Sequence, residues 1–202
     1  ATGGRGGGIQ LTAGHGSAKS GGSILLKSGH GSATSSGNIV FKTDNAGVSG
    51  VSGFLSFSSG TSSKGDSGAI SIGTGAATGG KGGSVLFAVG KGNSANGGAM
   101  KLVAGETTAS GMRGGRVYVA GGLASGTTAS KGGSVIVAGG AGSGSSGGDV
   151  TLLTGLGSAT SSGDLRIETV NAGDAGVSGA LSFSSGASSK GSSGSLSLGS
   201  GA

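Results

Sequence analysis

The chain has 202 residues, among them 54 glycines, no proline and no cysteine, and carries a formal charge of +6. The absence of cysteine excludes a disulfide framework, and there is no run of about 18 apolar residues to form a transmembrane helix. The thirteen Lys and Arg are scattered and aromatic residues make up only 3%, which excludes the basic stripe with interleaved stacking rings of a nucleic-acid groove.

In chain order, residues 1–6 finish an incomplete coil. A phrase then opens at Gly7 and recurs thirteen times, at Gly7, Gly22, Gly37, Gly53, Gly68, Gly83, Gly98, Gly115, Gly133, Gly148, Gly163, Gly179 and Gly194. Its form is clearest in Gly22-Ser23-Ile24-Leu25-Leu26-Lys27-Ser28-Gly29: glycine, any residue, apolar, any, apolar, two more, glycine. The third and fifth positions are apolar in all thirteen copies, from Ile9/Leu11 to Leu196/Leu198, in a chain that is only 33% hydrophobic. Two apolar residues flanking one variable residue form the period-two pattern of a half-buried strand. A helix would place those two residues on different faces, and its recurrent glycines would weaken it further.

The connections from Gly7 to about Asn96 are regular, about eight residues each and made of small residues, as in Gly29-His30-Gly31-Ser32-Ala33. Connections of that length suit antiparallel hairpins as well as parallel coils. Small side chains there let backbones approach closely. The phrases opening at Gly98 and Gly115 are followed by longer connections that share Thr-Thr-Ala-Ser, at 107–110 and 127–130. The regular pattern resumes at Gly133. A longer repeat overlies the short one. Residues 1–76 align without a gap to 127–202, an offset of 126, with 42 of 76 positions identical.

A quarter glycine with abundant serine is also the composition of disordered chains. A gapless long register and an unbroken apolar pattern argue against that reading. The expected fold is therefore all-β, a β-solenoid of about 13 coils with 15–18 residues each and the 126-residue repeat superposed. Residues 1–202 are expected to form one continuous array, a segment cut from a longer repeat protein or a mature product. Two apolar side chains per coil are too few to offset the ordering of so glycine-rich a backbone. Ladder hydrogen bonds, stacking and lateral partners must supply the rest. The outward apolar residues Leu25, Val40, Phe54, Leu86, Tyr118 and Ile136 make a candidate contact patch.

No residue set supports a reaction, and no catalytic, cofactor-binding or metal site is expected. His15 and His30 occupy the same place in consecutive repeats, but no third ligand accompanies them. Asp164 and Glu168 share an outward face with Arg166 between them, which reads as a surface ion-pair row rather than a glycosidase pair. The turn aspartates of calcium-binding nonapeptide repeats are missing. Glycine is too frequent for any GxG spacing to signal a phosphate loop, and no serine sits in a nucleophile elbow.

The phrases Ser36-Gly37-Asn38-Ile39, Thr78-Gly79-Gly80-Lys81-Gly82-Gly83-Ser84-Val85 and Ala129-Ser130-Lys131-Gly132-Gly133-Ser134-Val135 resemble the Gly/Ser/Ala/Thr-rich repeat proteins of diatoms and related algae. The resemblance covers the whole chain, is compositional and periodic, and carries over no site. It implies a secreted component of a wall, hair or fibre. The expected function is thus a structural, non-enzymatic protein, extracellular or at the cell surface, that self-associates without a cofactor. Sugars on the Ser/Thr-rich connections are a compositional expectation. The alternative is a surface binder, either an adhesin for anionic polysaccharide or an ice-binding protein. The irregular outward positions, such as Lys27, Lys42, Leu153 and Glu168, count against the regular Thr ladders of an ice binder. Neither nucleic acid nor a membrane span is expected among its partners.

Overall fold

The computed structural model describes residues 6–126, 128 and 130–201. Ala1–Gly98 and Ala99–Ala202 form separate units, and the boundary falls just after the opening glycine of the seventh phrase. Within both units the apolar phrases keep their period-two alternation. Val85 and Phe87 are 49% and 67% exposed, whereas Leu86 between them is 84% exposed. The same order holds at Ile24-Leu25-Leu26, Ile39-Val40-Phe41, Val117-Tyr118-Val119 and Val135-Ile136-Val137. Each such stretch thus turns one face toward other parts of its unit and the other toward solvent, as a pleated, extended backbone does.

The β-solenoid expected from the repeat is not formed. Among the described residues there is no helix and no paired strand, and hence no stack of hydrogen-bonded coils. Eight backbone–backbone hydrogen bonds join the described residues, and every one lies in a turn or at the mouth of a connection. A globular chain makes about one internal hydrogen bond per residue. A ladder needs neighbouring backbones about 4.8 Å apart, edge to edge. No such ladder joins the described phrases, although the rings of Phe41 and Phe57, in consecutive phrases, pack edge to face with centroids 6.4 Å apart. Both occupy the fifth position of their phrase, so equivalent side chains of these two phrases meet although their backbones form no ladder.

What closes each connection is a pair of glycines. The N–H of Gly37, which opens one phrase, donates to the carbonyl of Gly29, which ends the phrase before it, at 3.0 Å. The same first-to-eighth pairing joins Gly22 to Gly14, Gly115 to Gly105, Gly133 to Gly122, Gly148 to Gly140 and Gly163 to Gly155. Elsewhere the mouth is held differently. The Thr74 hydroxyl donates to the Gly83 carbonyl at 3.2 Å, and Thr43 and Thr169 pack against Gly53 and Gly179. The two latter connections lack an eighth-position glycine, with Asp44 and Val170 in its place.

These mouths are also the most enclosed places in the chain. Among the described residues the half-buried ones are Ala13, Gly16, Ser28, Gly31, Ala104 and Gly157, all at the mouths or just inside the connections. No described residue is fully buried. The apolar stripe expected to form the core is therefore only partly covered, and the small residues are the better packed. Ile9 and Leu198, in the first and thirteenth phrases, are 95% and 91% exposed, because neighbouring phrases supply what cover there is.

Several glycines are required by close approach, among them an equivalent pair 126 residues apart. A Cβ at Gly157 would overlap the carbonyl oxygen of Ser161, and Gly31 meets Ser35 in the same way. Gly157→Ala should force the connection open, so that the Gly163 amide loses its partner at Gly155. Hydrogen exchange is expected to speed up roughly tenfold at Gly163, about 1.4 kcal/mol. Gly111 has φ 76° and is the third residue of a turn closed by the Met112 N–H on the Ala109 carbonyl, 3.4 Å. That is the position of a type II turn that glycine fills without strain.

Local geometry recurs at the 126-residue offset. The Gly65 N–H donates to the Ser62 hydroxyl at 3.1 Å, and the Gly191 N–H donates to Ser188 at 3.0 Å. The two units thus build matched connections from matched sequence. In the longer connections, the Ala109 N–H donates to the Thr107 hydroxyl, 3.3 Å, and the Ser130 hydroxyl donates to the Thr128 carbonyl, 3.4 Å. Thr127 and Ala129 of the second Thr-Thr-Ala-Ser lie outside the described residues, as does most of the incomplete coil at 1–6.

Candidate functional site

The titratable side chains singled out in the sequence stand apart from one another, save one ion pair. His15 and His30 each follow the glycine that accepts a closing hydrogen bond, and both are exposed. Among the described residues, no three His, Cys, Asp or Glu side chains stand close enough to hold one metal ion. Arg166 donates through Nη2 to Glu168 Oε2, with both side chains largely in solvent. This pair takes up part of the outward row expected at Asp164, Arg166 and Glu168, and an exposed pair of this kind contributes about 0–1 kcal/mol. A shallow concavity runs along Arg116, Val117 and Tyr118. Three consecutive residues form its wall, so it is a groove beside one stretch of backbone rather than a pocket.

The extended surface is where the chain has something to offer. The outward residues Leu25, Val40, Phe54, Leu86, Tyr118 and Ile136 all stand exposed. The inward third and fifth positions are covered on one side only. The peptide groups between them carry no backbone partner among the described residues. Each phrase therefore presents open backbone edges flanked by apolar side chains. That is a template for strand pairing and a hazard that most proteins blunt.

The first-to-eighth glycine pairs were not singled out by the sequence reading. Their signal was present in the invariant opening glycine and in an eighth-position glycine that disappears only where the following spacing lengthens to 16 residues, at Asp44 and Val170. No helix among the described residues is long and apolar enough to cross a membrane. No protein-family model, no curated protein and no solved structure matches this chain.

Proposed function

We propose that this chain is a structural, self-associating component of a filament, hair or coat outside the cell or at its surface. The observation that carries this reading is area. The chain exposes 19949 Å². A folded monomer of 18.1 kDa is expected to expose about 8,000 Å² and its unfolded chain about 26,000 Å². The excess, roughly 12,000 Å², supports the reading as surface for other molecules to cover.

The placement outside the cell rests on the resemblance of its Gly/Ser/Ala/Thr-rich repeats to algal extracellular proteins. The mechanism is mechanical. Repeated apolar phrases associate between molecules, while the connections, rich in serine and threonine, stay hydrated and open to sugars. No reaction, cofactor or metal enters. Electron cryomicroscopy of the purified chain is expected to show filaments or sheets with a regular repeat. Discrete monomers at every concentration and ionic strength would overturn the reading and would turn attention to binding of anionic polysaccharide.

A further inference from the structure

We infer that the partner is a second copy of this chain, laid on the first in register, so that each phrase forms a backbone ladder with its own equivalent. The inference rests on the structural reading above and deepens it by naming the contact. It places strand pairing between copies, not between successive repeats of one chain.

Three observations single out a copy of the same chain. The first is the size of what must be covered. A standard interface buries about 1,200–2,000 Å² and obligate ones about 2,000–5,000 Å². The excess surface exceeds both several-fold, so the partner must run along the whole chain and on more than one side.

The second is register. The spacings of the opening glycines are 15, 15, 16, 15, 15, 15, 17, 18, 15, 15, 16 and 15. Only a chain with the same series keeps all thirteen phrases opposed at once. A shift of one repeat loses register at each 16, and again at the long connections after Gly98 and Gly115. A shift of 126 residues restores register but overlaps only 76 positions.

The third is chemistry. With no proline at any of the 202 positions, no phrase lacks an N–H that a ladder needs. In register, glycine meets glycine at the crowded mouths, where Gly31 and Gly157 leave no room for a Cβ. Ile, Leu, Val and Phe of the inward face stack on themselves about 4.8 Å apart, closing the apolar stripe that one chain leaves open.

Register is read directly by a spin label, and the chain's lack of cysteine makes each label unique. Ser56 and Ser182 occupy the outward fourth position of equivalent phrases, 126 residues apart. Ser56→Cys and Ser182→Cys, each labelled singly in the full chain, are expected to assemble and to give one exchange-narrowed line each, because identical sites lie about 4.8 Å apart. Aligned unlabelled material should show a meridional reflection at about 4.7–4.8 Å. Resolved three-line spectra from assembled material that also lacks this reflection would overturn the in-register contact and leave the structural role standing. Narrowing only when the two labelled chains are mixed would replace it with the 126-residue shift. Failure of the wild-type chain to assemble would overturn both.

Discussion

Leu86→Pro is expected to weaken assembly roughly 10- to 100-fold while leaving the isolated chain unchanged. In the single chain the Leu86 amide makes no backbone hydrogen bond, and its side chain points to solvent. Proline at this position therefore removes nothing that one chain uses. In a stack of copies the same amide donates across the interface. Proline deletes that bond, and its ring crowds the facing carbonyl. A loss of about 1.5–3 kcal/mol at each interface raises the critical concentration roughly 10- to 100-fold. Sedimentation of the insoluble fraction against total protein measures it. Lys91→Pro, in the connection that follows, is the control and should assemble near the wild-type concentration. Equal loss in both variants would mean that the connections carry the contact as much as the phrases do, against a ladder confined to the phrases.

This contrast marks what could be read from side chains and what could not. The inward and outward sets were legible. Ile24 and Leu26 against Leu25, or Val117 and Val119 against Tyr118, differ in exposure as period two requires. Which residues close the connections was half legible, in the eighth-position glycine and its loss at Asp44 and Val170. The partner of the backbone was not legible. Side-chain periodicity specifies which face of a strand is apolar and is silent about which molecule supplies the facing edge. A regular 15-residue period fits successive repeats paired by their edges and equally fits successive repeats meeting by their faces. The solenoid was the first arrangement. It needs a backbone ladder between successive phrases, and none is formed among the described residues.

That no metal-binding group forms among the described residues follows from the same organisation. A site needs unlike residues brought together from distant places in the sequence. Repeats that meet only their near neighbours bring like residues together instead. His15 and His30 share one place in two connections but acquire no third ligand among the described residues. Arg166 finds Glu168 two residues away on its own outward face.

Charge on the inward face should be the most damaging side-chain change of all. Val85 faces inward and is half covered in the single chain; in a stack it closes completely. Val85→Asp would then place a carboxylate in a dry seam, with the next copy's carboxylate about 4.8 Å away. Desolvating such a charge costs several kcal/mol, so no filaments are expected at any ionic strength. Leu86→Asp puts the same charge one residue along, on the open face. Like charges about 4.8 Å apart in water repel by only about 1 kcal/mol, and salt screens them. Assembly of Leu86→Asp should therefore weaken at low salt and recover at high salt, followed by turbidity or by filament counts. Recovery of Leu86→Asp alone would locate the contact on the ladder and the inward seam. Failure of Leu86→Asp at high salt would locate it on the outward apolar residues Leu25, Val40, Leu86, Tyr118 and Ile136 instead. Both variants remove one apolar side chain and add one carboxylate, so the difference between them reports the face and nothing else.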